Sequence, residues 1–417
     1  MNNKEHVAII GGGIIGLCTA YYLDQSGFKV TLIDQEDLES GCSVGNAGMI
    51  VPSHFIPLAQ PGMISKGIRW MFDSKSPFYI KPRLSSDLIR WGWQFYRSAN
   101  REHVKQAMPL LKNLNLRSKT LYEALHEDLK GFELNKRGLV MYCKTTKGFD
   151  EEIKVAKAAH QIGLEAQILD AGQAQDLDKG VEVDVKGAVY FPEDAFLSPQ
   201  QLINRLVTHL RSRGVTMMSH TAVTGIATSS RQVSALTTNK GKVTADQFVL
   251  AAGSWSAAFN KSLQLNLLMQ AGKGYSFTIS EPKQMPAICA ILTEAKVAVT
   301  PMHHELRFAG TMEIGPPNAT INQNRVAGIK ESISHYFPFY TSHQLGKKEV
   351  WSGLRPCSPD GLPYIGRPRK YDNLIVATGH GMMGISMGPV TGELVSKIAS
   401  GAETGHHLNG LSVDRFD

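Results

Sequence analysis

Three glycines and one acid near the start of the chain have the types and spacing to do chemistry together. Gly11, Gly13 and Gly16 form the pattern G-x-G-x-x-G, and Asp34 follows Gly11 by 23 positions. In this spacing the first glycine permits a tight turn and the second lets backbone approach a pyrophosphate. The third lets a helix lie close to a strand, and the acid meets a ribose hydroxyl. A helix N-terminus at the same place adds N–H donors and a positive dipole end. The pattern describes a dinucleotide site, and an acid at position 34 disfavours a 2′-phosphate and hence NADP.

Other residues compete for a chemical role. Gly384-Ile385-Ser386-Met387-Gly388 matches the G-x-S-x-G nucleophile elbow, which makes Ser386 the candidate of an α/β-hydrolase. An elbow needs a strand running directly into the serine, whereas here the strand pattern ends at Thr378 and glycines crowd the residues after it. His303-His304 and His406-His407 are chain neighbours, whose side chains on a strand point to opposite faces, so no metal site is expected. Cys18, Cys42, Cys143, Cys289 and Cys357 are far apart and odd in number, which indicates neither a zinc site nor a disulfide framework and fits a reducing compartment.

These residues need elements to position them. Val7-Ala8-Ile9-Ile10 is a short apolar run ended by glycines, and apolar residues then recur from Ile14 to Leu23 at a helical period until Gly27. Lys29 to Asp34 reads as a second buried strand, so the glycine pattern sits in a strand, turn, helix, strand unit. Residues 56–135 are rich in Pro, aromatic and basic side chains and then in leucines at helical spacing, Leu110, Leu111, Leu114, Leu121 and Leu125, and they read as a separate layer. Ser198 and Pro199 open a helix carrying Leu202, Ile203, Leu206, Val207 and Leu210, and Gly214 closes it. Two more strands run into glycines. Gln247 to Ala252 enters Gly253-Ser254-Trp255, and Asn373 to Thr378 enters Gly379-His380-Gly381, with a helix from about Val390 to Ala399 after it. Trp70, Trp91, Trp93, Phe95 and Tyr96, with Arg69, Arg90 and Arg97, suit burial between domains or, alternatively, a membrane interface.

Composition bounds the rest. The 417 residues are 42% hydrophobic and 19% charged, which excludes extended disorder and fibrous folds. A net charge of +7, spread over so long a chain, does not imply nucleic acid. The first residues lack the pattern of a signal peptide and no apolar stretch is long enough to cross a bilayer, so a cytoplasmic protein is expected, with peripheral contact to the inner membrane face left open.

With its three strand-to-glycine junctions and a second glycine-rich segment, Cys42-Ser43-Val44-Gly45-Asn46-Ala47-Gly48-Met49, the chain resembles the FAD-dependent D-amino acid oxidoreductase family. The likeness is to the bacterial D-amino acid dehydrogenase small-subunit and D-hydroxyproline dehydrogenase type. Ile68-Arg69-Trp70-Met71-Phe72, Lys273-Gly274-Tyr275-Ser276, Gly353-Leu354-Arg355-Pro356, Pro359-Asp360-Gly361 and Thr378-Gly379-His380-Gly381 also resemble its motifs. The resemblance implies an α/β (α+β mixed) fold. A glutathione-reductase-like FAD-binding Rossmann domain, residues 1–55, 187–265 and 346–417, would be interleaved with a substrate domain, residues 56–186 and 266–345, on a mixed, largely antiparallel sheet.

The same resemblance assigns roles. It puts FAD pyrophosphate on Gly11, Gly13, Ile14, Ile15 and Gly16, ribose on Asp34 and Gln35, and adenine on the backbone of Val223. Ser43, Asn46, Ala47, Gly48 and Met49 would lie near the ribityl chain and flavin, with further contacts from Ala252, Gly253 and Trp255. Gly353, Arg355, Gly379, His380, Gly381, Met382 and Gly384 would approach the isoalloxazine ring. The implied activity is oxidation of a D-amino acid or cyclic D-imino acid, such as D-proline or D-hydroxyproline, by hydride transfer from Cα to flavin N5. Electrons would leave to a quinone, oxygen or a partner protein, and glycine/sarcosine-type amine oxidation is the alternative. Arg355 is expected to hold the substrate carboxylate through two parallel donors, with Arg307 as second candidate. Tyr275 and His380 complete the expected catalytic set, His380 as a tuner of flavin charge. Cys357 reads as an unreactive thiol rather than a covalent flavin link.

Overall fold

The computed structural model of the chain describes residues 4–346, 348–405 and 408–417. Strand His6–Ile10, helix Ile14–Gln25 and strand Lys29–Ile33 form the expected N-terminal unit. They belong to a six-stranded sheet in which Thr216–Met218, Lys29–Ile33, His6–Ile10, Gln247–Leu250 and Leu374–Thr378 run parallel, with Tyr364–Gly366 antiparallel at the edge. Alternate side chains leave opposite faces of each strand. Val7, Ile9, Val249 and Ile375 meet helices, whereas Ala8, Ile10, Phe248 and Val376 meet a cluster that includes Val233 and Leu236 of the neighbouring antiparallel three-stranded sheet. Cover on both faces explains why these strands read as unbroken apolar runs. Because the strands are parallel, all three strand-to-glycine junctions emerge at one edge of the sheet, where ligands of such folds bind.

The second sheet has nine strands. In order they are Trp351–Cys357, Gln270–Ser280, Glu305–Gly315, Val297–Met302, Cys289–Leu292, Leu139–Cys143, Gly187–Phe191 and Gln167–Asp170, with Phe78–Ile80 beside Glu305–Gly315. Two pairings are parallel, Cys289–Leu292 with Leu139–Cys143 and Glu305–Gly315 with Phe78–Ile80; the others are antiparallel. Helix Gln323–Tyr336 covers one face through Val326, Ile329 and Ile333.

Several boundaries differ from expectation, each for a non-local reason. Gly187–Phe191 and Trp351–Cys357, expected with the FAD-binding segments, hydrogen-bond into the nine-stranded sheet instead. Helix Arg101–Leu129, expected with the substrate segments, packs Leu111, Leu114 and Leu121 on Met387, Val390 and Leu394 of the last α-helix. That last helix runs Gly384–Ser400, starting earlier than the expected Val390 and containing Pro389. Proline removes the N–H that would reach Ile385 O, and the Tyr122 hydroxyl donates to that carbonyl at 2.5 Å in its place. Ser198 stands at the N-cap of helix Pro199–Ser212 without a side-chain capping bond.

The aromatic segment is partly buried and partly exposed. Trp91 is buried and donates from Nε1 to Cys357 O at 2.9 Å, whereas Trp93 and Tyr96 are exposed. The five cysteines are free thiols, and no cluster of potential metal ligands occurs among the described residues. His303 Nδ1 lies 2.7 Å from Glu133 Oε1; His406 and His407 lie outside the described residues. Among the described residues no helix is long and apolar enough to cross a membrane.

Helices Ile14–Gln25 and Gly384–Ser400 pack closely through glycine: a Cβ on Gly392 would stand 2.5 Å from Cys18 O. Gly392→Ala is expected to force them apart and cost about 1–3 kcal/mol. Urea unfolding should show a lower midpoint at unchanged slope; a wild-type midpoint would refute the contact.

Candidate functional site

Gly11 has a φ of +108°, and a side chain there would collide with Ala251 O; one on Gly16 would collide with Gly11 O. The protein itself requires glycine at both. Gly13 differs: its φ is −70°, and a Cβ would meet nothing nearer than Ser43 Oγ at 3.4 Å. Gly13 caps helix Ile14–Gln25 without a side-chain bond, and no acid stands in the first turn. The first N–H groups and the positive end of the helix therefore face the turn, with one of them, that of Ile14, donating to Ser43 Oγ at 3.1 Å.

Asp34 accepts the Gly12 N–H at 2.6 Å and the Glu36 N–H at 2.8 Å, and burial raises its carboxyl above the usual range. Each oxygen keeps accepting capacity for a further donor. Thr221 N–H donates to Asp34 O at 2.7 Å, which brings Val223 to the same edge as Asp34. Open donors beside an acid fit the pyrophosphate and ribose of a dinucleotide.

The second glycine-rich segment is held by the nine-stranded sheet. Arg307 donates through Nη1 to Val44 O at 2.7 Å and Asn46 O at 2.9 Å, and through Nε to Thr278 Oγ1 at 3.3 Å. Ser276 Oγ donates to Gly45 O at 3.0 Å, and the Leu354 N–H meets Cys42 Sγ at 3.4 Å. Arg307, expected as second carboxylate candidate, thus spends its guanidinium on the loop backbone.

Residues opposed in an antiparallel ladder share a face. The pairs Gly272 with Arg355, Gly274 with Gly353, Ser276 with Trp351 and Thr278 with Arg307 therefore line the face that meets the glycine-rich segment. Arg355 lies against Gly274, where any side chain would collide with its guanidinium, and donates through Nη1 to Thr311 O at 2.6 Å. It has no carboxylate partner among the described residues, and burial lowers its pKa. Thr311, which gave no sequence signal, holds a φ of +67° beside a break in register. A β-branched residue in that region is strained, at a cost of about 1–3 kcal/mol. Trp351 was likewise missed: its indole lies where side chains on Gly45 and Gly353 would stand.

Other expected residues are placed elsewhere. Tyr275 alternates with Gly274 and points to the opposite face, buried in the cluster under helix Gln323–Tyr336, its hydroxyl donating to Glu313 Oε1 at 2.5 Å. His380 stays in the glycine junction, but its Nε2 lies 3.0 Å from Thr391 Oγ1 and its buried Nδ1 has no partner. Burial pushes its pKa down to about 3, so a neutral ring brings no cationic charge to a flavin. Burial pushes the Cys357 thiol up to about 11, which suits an inert group. Ser386 lies inside the last helix, donating to Asn115 Oδ1 at 2.6 Å and accepting from the Val51 N–H at 2.9 Å, so the hydrolase reading fails for want of an elbow and a base. Gly253 and Gly381 have positive φ and open space around their Cα atoms, while Trp255 and Met382 are partly exposed.

Comparison with known proteins gives a matching family, FAD dependent oxidoreductase, over residues 6–398. The D-amino acid dehydrogenase of Vibrio atlanticus is 30% identical over 420 residues, covering 98% of this chain and 99% of its own. That of Bradyrhizobium diazoefficiens is 31% identical over 425 residues, covering 98% of each. Among solved structures, glycine oxidase from Geobacillus kaustophilus superposes with a TM-score of 0.79 at 24% identity, covering 99% of both chains. L-proline dehydrogenase from P. horikoshii reaches 0.74 at 17% identity, covering 100% of this chain and 98% of its own. At those identities the two structures establish a shared fold.

The cradle separates two kinds of glycine. Gly13→Val should fold with wild-type stability yet purify without yellow colour, because only the bound phosphate needs the space. Asp34→Ala should retain part of its flavin, having lost hydrogen bonds of about 1.5–3 kcal/mol. Absorption near 450 nm against protein concentration reads both, and a fully yellow Gly13→Val protein would contradict the phosphate assignment.

Proposed function

The chain belongs to the FAD dependent oxidoreductase family, and on that premise we propose that it oxidises a D-amino acid or a cyclic D-imino acid, such as D-proline or D-hydroxyproline, at the carbon bearing the nitrogen. The observation that carries this reading is the state of Arg355, a partly buried guanidinium with one backbone acceptor and no counter-charge among the described residues. A charge partly withdrawn from water without a counter-ion is costly, and a substrate carboxylate would supply the missing partner through two parallel bonds. The D-amino acid dehydrogenases to which the chain is similar support the substrate class.

FAD, when bound, supplies the two-electron acceptor. The chain's own contribution is orientation. Gly11, Gly13 and Asp34 would hold the dinucleotide end, and the segment clamped by Arg307 would border the ring. Arg355, kept flat by Gly274 and stopped from rotating by Thr311 O, fixes one end of the substrate.

We place the protein in the cytoplasm, peripheral on the inner membrane face, with a quinone as electron acceptor and oxygen or a partner protein as alternatives. Ile68, Phe72, Leu84, Ile89, Trp93 and Tyr96 make up six of the nine exposed large hydrophobics among the described residues. Residues 63–98 also carry seven basic and two acidic side chains. Trp91, Leu88, Phe95, Phe78 and Ile80 cluster beneath them, which leaves the exposed set on the outside. An apolar and basic surface suits an anionic bilayer.

Three outcomes are expected. Under nitrogen, D-amino or D-imino acids should bleach the flavin and their L-enantiomers should not. Arg355→Met should keep its FAD while reduction slows roughly 30-fold to several thousand-fold, and Arg355→Lys should recover part of that. Wild-type reduction by Arg355→Met would move the anchor elsewhere. In sedimentation, the protein should pellet with phosphatidylglycerol vesicles and not with phosphatidylcholine, and Phe72→Ser with Trp93→Ser should release it. Protein that remains in the supernatant with both lipids would exclude the docking surface.

A further inference from the structure

Three glycines of the nine-stranded sheet leave a trough on the face that carries Arg355. Gly272 stands opposite Arg355 and Gly274 opposite Gly353, and the places their side chains would take are filled by neighbours. The Trp351 indole comes within 1.9 Å of where a Gly353 Cβ would stand, and the Arg355 guanidinium within 2.3 Å of the same place on Gly274. Cys357 Sγ and Met312 Cγ fill the place on Gly272, at 2.8 and 3.4 Å. Trp351, Gly353, Arg355 and Cys357 alternate along one face of their strand, so the guanidinium lies in the trough with Trp351 on one flank and Cys357 with Met312 on the other. Its aim depends on whatever holds those flanks in place.

The backbone adds a second restraint. Thr311 O, which accepts from Arg355 Nη1 at 2.6 Å, belongs to the same planar peptide as the Met312 N–H, which points the opposite way and donates to Pro77 O at 2.8 Å. A turn of that plane would disturb both bonds. Its own strand gives it little support, because Thr311 has a φ of +67° and the register breaks beside it. Pro77 supports it from outside and is itself held by its neighbours. Ser76 Oγ lies 2.7 Å from Trp70 O and 2.8 Å from Phe78 O, and Arg325 donates through Nη1 to Ser76 O and, at 3.1 Å, to Ser76 Oγ. Ser76 and Arg325 are both buried, and the Arg325 guanidinium also lies over the Tyr79 ring at 4.8 Å. Phe78–Ile80 then pairs in parallel with Met312–Ile314.

Trp91 grips the other flank. It is buried, donates from Nε1 to Cys357 O at 2.9 Å, and belongs to one apolar cluster with Met312, Ile314 and Cys357. We propose that Ser76, Arg325 and Trp91 are positioning residues for the substrate carboxylate: they hold the Thr311–Met312 peptide and the Cys357 end of the neighbouring strand, and through these they aim the unused edge of the Arg355 fork. The proposal rests on the reading of Arg355 as carboxylate anchor and adds the residues that make the anchor rigid. Rigidity acts directly on affinity, since a guanidinium already oriented loses less freedom when a carboxylate pairs with it.

Cyclopentanecarboxylate, which has a carboxylate and no nitrogen, reports on the anchor alone when its binding to the FAD-loaded protein is followed by calorimetry. Trp91→Phe keeps a ring in the cluster and removes the N–H, and Ser76→Ala removes the hydroxyl. Each should weaken binding roughly tenfold, the effect of losing about one hydrogen bond. KM for a D-amino acid should rise by a similar factor while kcat holds, as expected when binding shared by ground and transition states is lost. In an Arg355→Met background neither change should raise KM further, because the residue they act through is gone. Ser76→Ala carries the test if Trp91→Phe does not fold. Wild-type binding by both variants, whatever their melting temperatures, or an undiminished effect in the Arg355→Met background, would overturn the proposal. Binding of cyclopentanecarboxylate that Arg355→Met leaves at the wild-type level would instead sink the anchor reading.

Discussion

The site's geometry depends on one guanidinium, that of Arg307. Arg307 reaches from the nine-stranded sheet to the carbonyls of Val44 and Asn46, in a segment that Ser43 also ties to helix Ile14–Gln25. Irregular backbone drawn into the interior must have its polar groups satisfied from outside itself. Hydrogen bonds from a charged donor are about twice as strong as neutral ones, so the clamp suits a loop that must not drift. Ser276, Cys42 and Ser43 add ties to the same segment, and through Ser43 the clamp extends to the first turn of helix Ile14–Gln25. The glycine turn at Gly11–Gly16 and the sheet face that carries Arg355 are thereby one mechanical unit.

Arg307 and Arg355 show how environment divides the labour of identical side chains. Burial lowers the pKa of both. Arg307 has three acceptors, two of them loop carbonyls; Arg355 has one, supplied by a strained Thr311, and keeps the rest of its planar fork unused. Strain at Thr311 is intelligible as the means of aiming a carbonyl that a regular ladder would have turned into the sheet.

Much of the cradle was legible because its chemistry is local. Glycine spacing, the apolar run before it and the acid after it lie within a few dozen residues, and each leaves an imprint on residue type. The period of two along Lys273-Gly274-Tyr275-Ser276 separates Gly274 from Tyr275, but only the ladder shows which face meets the glycine-rich segment. The same holds for Arg307, whose loop partners are 261 and 263 positions away. The start of the last helix was hidden because Pro389 and its flanking glycines resemble breakers, and the hydroxyl that compensates is 263 positions from its acceptor. Membership of Gly187–Phe191 and Trp351–Cys357 in the larger sheet is likewise decided by partners remote in sequence.

The order of strands has a consequence for biogenesis. His6–Ile10 lies between Lys29–Ile33 and Gln247–Leu250, and the helix after it is covered by Gly384–Ser400. At about 5–20 residues per second, a ribosome needs on the order of 20 to 70 s to deliver that covering helix after the cradle sequence has emerged. Throughout that interval the cluster around Ile9, Leu17 and Leu23 lacks the part of its cover that the last helix supplies, and the nascent chain presents apolar surface to chaperones and to its neighbours on the polysome. A protein truncated before Gly384 would retain the Gly11–Gly16 pattern and lack the helix that packs against helix Ile14–Gln25.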